Sequence, residues 1–143
     1  MSKIFQKFTC KTFTNRGFNL TPVEFKDLIP FEVKRLYYID ALPADTKTGE
    51  HCHLIEQEVF VIVKGAVTAV IDKGQGKEDV RLSGPSEAIY VPNYVWHGFK
   101  DATPDCVIIA LSSTNYSPDR SDYQENYDEY LKVRDVGLAA NLQ

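Results

Sequence analysis

Apolar and polar positions alternate along this chain in short bursts, and the bursts predict strands. Segments 34–39, 59–63, 67–71, 79–82, 88–91 and 107–111 are rich in β-branched and aromatic residues, and each has the length of a common strand. Turn chemistry separates them: Lys64-Gly65-Ala66 signals a tight hairpin, Lys73 to Gly76 a looser one, and Ser83-Gly84-Pro85 ends the next strand. Strands of this kind favour a barrel or a jelly-roll sandwich, because closure removes the exposed edges that promote aggregation. The pattern changes near the end, where Asp122 to Leu131 is polar, with Tyr123, Tyr127 and Tyr130 along one helical face. An amphipathic helix laid against the barrel is predicted there, its tyrosines read as packing residues. The expectation is one all-β domain over 1–143, with the barrel at about 5–113 and a helical tail at about 119–134.

Composition narrows this picture without redirecting it. The chain has 143 residues, 43% hydrophobic and 25% charged, which suits a single globular domain with its own core. A net charge of -4 argues against a nucleic-acid surface or a polybasic membrane patch, although a few local cations still suffice to bind a phosphate. No apolar run approaches the roughly 20 residues of a membrane span, and the first residues lack an apolar signal core, so a cytoplasmic location is expected. Cys10, Cys52 and Cys106 are odd in number and have no Cys-x-x-Cys spacing, which predicts reduced thiols.

Candidate chemistry concentrates between Gly49 and Gly65. His51 and His53 are two apart in an extended stretch, so their side chains share a face while Cys52 takes the other. Glu58 follows a turn, placed to enter the same space from the next strand. A second segment, Tyr90 to His97, carries a Pro92-led turn toward His97. A lone histidine is more often a hydrogen-bonded core residue. Here all three histidines of the chain and a carboxylate fall into two segments, which packing alone explains poorly.

Both segments resemble the two halves of the cupin signature, in order and at the separation of a small member. Tyr94 stands where the second half often has Gly. Over Gly17 to Leu131 the chain is similar to the nucleotide-sugar 3,4-ketoisomerases, the WxcM-like cupins of the RmlC-like superfamily. The residues that carry the likeness are Leu20 to Glu24, Ile29 to Phe31, Lys34 to Tyr38, His51 and His53, Val95 to His97, Ser113 to Tyr116, Asp122, Tyr123 and Tyr127. Two departures stand out. Thr48-Gly49-Glu50 replaces an Arg-Gly that usually precedes the histidine pair, and Glu58 replaces a usual Gln.

This resemblance implies a cupin (double-stranded β-helix, jelly-roll) barrel that isomerises dTDP-4-keto-6-deoxy-D-glucose to a dTDP-3-keto-6-deoxyhexose through an enediol. His51 is then the expected base, with Tyr37 and His53 as further catalytic residues. Arg35 is the leading diphosphate ligand. His97, Trp96, Glu58, Arg16 and Lys47 are further substrate-binding candidates. The reaction redistributes hydrogen within the sugar and requires no cofactor. Both gluco and galacto outcomes at C4 remain open. A homodimer is also implied, with the strand around Phe5 to Phe13 pairing across subunits, and the setting is deoxyamino-sugar and surface-glycan synthesis. Two alternatives compete: a divalent-metal cupin using His51, His53, Glu58 and His97, and a sugar-binding cupin without catalysis.

Overall fold

The computed structural model describes residues 3–143. Its strands are β1 (Gln6–Thr9), β2 (Phe13–Asn15), β3 (Phe18–Leu20), β4 (Arg35–Ile39), β5 (Thr48–His53), β6 (Glu58–Lys64), β7 (Ala66–Asp72), β8 (Lys77–Ser83), β9 (Glu87–Val91), β10 (Trp96–Lys100), β11 (Val107–Ser112) and β12 (Tyr123–Gln124). Helices α1 (Phe25–Leu28) and α2 (Tyr127–Asn141) complete the chain. Two five-stranded antiparallel sheets face each other, in orders β1-β9-β6-β11-β4 and β12-β5-β10-β7-β8, and β2 and β3 form a separate hairpin. All six strands expected from the apolar bursts are present, which is the jelly-roll barrel.

Strand alternation sorts the side chains into layers. On β6, Phe60 and Ile62 point inward and join Ile71, Leu82, Ile89, Val91 and Phe99 between the sheets. Val59 and Val61 point outward and are covered by the N-terminal segment through Phe8, Val23, Leu28 and Phe31. On the other sheet, Cys52 and Trp96 point outward beneath Tyr127 and Tyr130 of α2. The three cysteines are free and buried, and burial pushes the Cys52 thiol up to about 12.

The C-terminal helix begins later and runs further than Asp122 to Leu131. Asp122 and Tyr123 are drawn into the barrel by pairing of β12 with β5, so the helix starts only after Asn126, whose side chain accepts from Glu129 N–H at 3.1 Å. Beyond Leu131 it continues because its inner face is anchored. Tyr130 Oη shares its single proton between the carbonyls of Asp72 and Tyr94, and Tyr127 Oη donates to the Asp72 carboxylate at 2.7 Å. The N-terminal strand lies at a sheet edge: β1 pairs with β9 of its own chain on one side and is open on the other, Cys10 N–H bonds the Ser86 carbonyl just past the ladder, and β2 and β3 form a separate hairpin.

The turn before β10 shows how one local departure is accommodated. Tyr94 keeps the left-handed conformation, φ 62°, of a position where Gly is common, at a cost on the order of 1–3 kcal/mol. Its ring lies against Gly137 of α2, where an added Cβ would meet ring atoms at 2.2 Å. Gly137→Ala is therefore expected to lower stability by about 1–3 kcal/mol in chemical denaturation, through overpacking against a ring that the strained turn holds in place. An unchanged midpoint would show that the contact yields freely.

Candidate active site

Three histidines and one carboxylate converge inside one end of the barrel. β10 lies antiparallel to β5 with His97 directly opposite His51, and β12 lies on the other edge of β5 with Tyr123 opposite His53. The register shifts between His97 and Phe99, where β5 carries an extra residue around Gly49, φ 70°. At the facing Gly98 an added Cβ would meet Glu50 Cγ at 2.9 Å and the Thr48 carbonyl at 3.0 Å, so a larger residue would force β5 or the Glu50 side chain to shift. The bulge thus sets the angle at which His51 enters the lumen. Glu58 enters from β6 on the same inward face as Phe60.

The contacts are short. His51 Nε2 lies 3.0 Å from His53 Nε2, His53 Nε2 lies 3.5 Å from Glu58 Oε2, and His97 Nε2 lies 3.2 Å from the same oxygen. Tyr37 Oη, from β4, donates to Glu58 Oε1 at 2.6 Å. The Tyr123 ring sits 4.8 Å from that of His51 and 4.5 Å from that of His53. His53, Glu58 and His97 are buried, whereas His51, Tyr37 and Tyr123 are half-buried and line the open end.

Electrostatics separates the two histidines of β5. Burial pulls the His51 pKa well below its usual value, and positive charge on His97 and His53 adds to this, so His51 is neutral with a lone pair near neutral pH. Burial acts against the charge of His53 too, but hydrogen bonds to Asp122 and Glu58 outweigh it and raise that pKa to about 9. Glu58 is held well below the ordinary carboxylate range: burial opposes its charge, and the adjoining His53 and His97 overcome burial. Burial foremost, then the Glu58 charge, keeps the Tyr37 hydroxyl protonated. One base and one acid stand side by side, separated by environment alone.

Asp122, carried into the site by β12, sets this difference. Its carboxylate accepts from Ile55 N–H at 2.6 Å, Glu56 N–H at 3.2 Å and His53 Nδ1 at 3.0 Å. Nδ1 therefore carries a proton and Nε2 faces the lumen. Asp122, Tyr123 and Glu56 were not singled out for the site in the sequence, since nothing in local spacing places a tail residue beside a strand some seventy positions earlier.

The other expected ligands scatter. Trp96 is a correction: next to His97 on β10 it must face outward, and it is buried between Tyr127 and Tyr130, away from the lumen. Tyr123 is the opposite case, leaving the packing stripe for the site. Arg16 is exposed in the β2–β3 turn, and Lys47 is exposed just before β5. Arg35 does reach the mouth, where its guanidinium binds buried Glu56 at 2.8 Å and lies 5.3 Å from the centre of the Tyr37 ring. Arg120 also lies at the mouth, its guanidinium 4.0 Å over the Tyr123 ring, and no strand pattern announced it.

A small antiparallel barrel with three imidazoles and a carboxylate gathered at one open end defines a cupin. The chain belongs to the WxcM-like cupin family: the family profile described as FdtA, WxcM-like, C-terminal, matches residues 4–135. It is 34% identical over 122 residues to a TDP-4-oxo-6-deoxy-α-D-glucose-3,4-oxoisomerase of Aneurinibacillus thermoaerophilus, covering 85% of this chain and 86% of that one. QdtA of Thermoanaerobacterium thermosaccharolyticum, a sugar 3,4-ketoisomerase solved with TDP, superposes with TM-score 0.85 at 30% identity over 95% of this chain and 98% of its own. WlaRA of Campylobacter jejuni, a TDP-fucose-3,4-ketoisomerase, gives 0.79 at 25% identity over 91% and 95%.

Asp122→Asn tests the electrostatic assignment directly. With three histidines in the chain, ring-proton NMR can follow each titration, and the His53 midpoint is expected to fall from about 9 toward 6.5 while the fold persists. The stability sign follows. His53, raised in the folded state, stabilises fully below its unfolded value and loses this as pH climbs through about 9, so the Tm advantage of the unsubstituted protein over Asp122→Asn should shrink as pH rises through about 9.

Proposed function

We propose that this protein isomerises dTDP-4-keto-6-deoxy-D-glucose to a dTDP-3-keto-6-deoxyhexose. The observation that carries the reading is the His51–His53 pair, a neutral base beside a protonated partner at the open end of the barrel. Its family, and relatives named for this reaction over most of both chains, supply the substrate class.

The chemistry follows from the placement. His51 takes the proton from C3, and the C–H electron pair forms a C3–C4 double bond while the C4 oxygen takes negative charge. The protonated His53 stabilises that oxygen from the start, because its charge is already in place before the reaction. A proton passes from the C3 hydroxyl to the C4 oxygen, C4 accepts a proton, and the C3 carbonyl forms. Every hydrogen and electron is accounted for within the sugar and His51, so no redox cofactor enters the balance. The single proton of Tyr37 is directed at Glu58, which makes Tyr37 a positioning residue for that carboxylate rather than a donor to the enolate. His97 faces Glu58 from the opposite strand. Arg35 and Arg120 at the mouth supply the cationic contacts a diphosphate needs.

A homodimer accompanies this reading. Phe13, Phe18, Leu20, Phe25, Leu36 and Tyr38 are each about half exposed or more, on the hairpin, on helix α1 and on edge strand β4, and a second copy would cover them. No helix among the described residues is long and apolar enough to cross a membrane, consistent with work in the cytoplasm on a sugar nucleotide. A 3-keto product is the substrate form an aminotransferase requires, which places the step in deoxyamino-sugar synthesis for surface glycans such as O-antigen.

Incubation with dTDP-4-keto-6-deoxyglucose, followed by NMR of the sugar, is expected to show the 3-keto isomer with solvent deuterium entering in D2O. No such product from the metal-free or metal-loaded protein sinks the reading in favour of a binding protein. His51→Asn should lower kcat by about 10²–10⁴-fold. In the unsubstituted enzyme kcat should fall as pH rises through about 9, where His53 loses its proton, and Asp122→Asn should move that fall to lower pH. Sedimentation should give twice the chain mass.

A further inference from the structure

Asp72 carries a charge that the chemistry of the lumen does not use. It closes β7 directly opposite Trp96 of β10, on the outward face, and it is fully buried. A carboxylate in such a place must be surrounded by donors. Two come from the turn that follows, where Gly74 and Gly76 N–H donate to Oδ1 at 2.8 and 3.2 Å. The others come from α2, whose Tyr127 Oη and Arg134 Nη1 donate to Oδ2 at 2.7 and 3.3 Å. The proton that Tyr130 Oη shares reaches the Asp72 carbonyl at 3.0 Å. Positions 127, 130 and 134 are three and four apart, so one face of α2 grips a single residue. Lys77 of β8 closes the join, its ammonium 4.2 Å from the centre of the Tyr127 ring and 5.4 Å from that of Trp96.

The segment just before α2 has little hold of its own. β12 is two residues long, lies at the edge of its sheet, and pairs with β5 alone among the described strands. A pairing that short is marginal without packing behind it. Yet Asp122, the residue before β12, secures three consecutive amides of the β5–β6 turn. Its carbonyl accepts from Leu54 N–H at 2.9 Å, and its carboxylate accepts from Ile55 N–H and Glu56 N–H. The link from Tyr123 to Tyr127 is itself tied, since Asn126 N–H donates to Gln124 Oε1 at 3.0 Å. Whatever fixes Tyr127 therefore fixes Asp122.

We propose that Asp72 is a remote positioning residue for the active site: by mooring α2 on the outside of the barrel it holds β12 on β5 and Asp122 in place, and β12 and α2 dock and leave as one unit. The effect on turnover rests on the isomerase reading above; the mooring does not. Charge makes the release cooperative. A half-released state, with Asp72 still covered but short of a donor, is costly, so the segment is held either fully or not at all.

Native-state hydrogen exchange reads the mooring without substrate. In Tyr127→Phe, which removes one hydroxyl, the amides of Leu54, Ile55 and Glu56 should exchange about 10–100-fold faster, as loss of a bond to a charged group allows. The amides of α2 should quicken with them, while those of the β6–β11 ladder keep their rates. Lys132→Ala, which breaks only an exposed pair with Glu129, should change neither set. On the sugar nucleotide, Asp72→Asn should lower kcat by up to about 10²-fold, the cost of a misplacement of about 1 Å. In an Asp122→Asn background it should lower kcat no further, because both substitutions act through one contact. Where Asp72→Asn fails to fold, the double variant Tyr127→Phe, Arg134→Gln takes its place. Equal acceleration throughout the barrel, or none at Leu54 to Glu56, overturns the mooring. Losses that add in the combined variant overturn the positioning role. A protein without turnover of the sugar overturns the isomerase reading and the effect on kcat together, while the exchange pattern still decides the mooring.

Discussion

A carboxylate buried without solvent must be compensated by positive charge or by donors, and Glu58 imposes that requirement on everything around it. Tyr37 gives it a hydrogen bond from β4, while His53 and His97 face it from β5 and β10. Three strands from both sheets are thereby tied to one inward-facing group. Asp122 and Glu58 together keep positive charge on His53, while burial foremost, then the charges of His97 and His53, keeps the neighbouring His51 neutral. The difference between base and acid therefore follows from two carboxylates and their surroundings.

Precision at this end of the barrel is inherited from layers behind it. Asp122 holds His53 only because β12 pairs with β5, and β12 stays in place because α2 follows it directly and is moored on Asp72 and Tyr94. Trp96 fills the space between β10 and α2, so the strand that delivers His97 inward is braced on its outer face. A helix that never meets the lumen thus contributes to chemistry within it, through packing.

The family likeness and the chemistry of Glu58 bear on different questions. Likeness over most of the chain to sugar-nucleotide ketoisomerases indicates the class of substrate. Glu58 places a buried negative charge at the centre of the site.

Short-range pattern was sufficient for the strands and for the shared face of His51 and His53, because alternation on a strand is a property of consecutive residues. It was equally sufficient to set Cys52 apart from its neighbours and to bring Glu58 toward them from the next strand. The helix boundary was not legible in this way: Asp122 and Tyr123 have helical spacing, yet strand pairing with β5 claims them. Nor did local pattern reveal that Trp96 turns away from the site, that Tyr37 spends its proton on Glu58, or that Asp122 fixes the His53 tautomer. By itself the sequence determined which side chains of each strand face inward and that the histidines gather. Which atom of each ring meets which partner, and hence which histidine is base and which is acid, was decided only by tertiary structure. The reason is that hydrogen bonds and burial among residues far apart in the chain set both tautomer and charge.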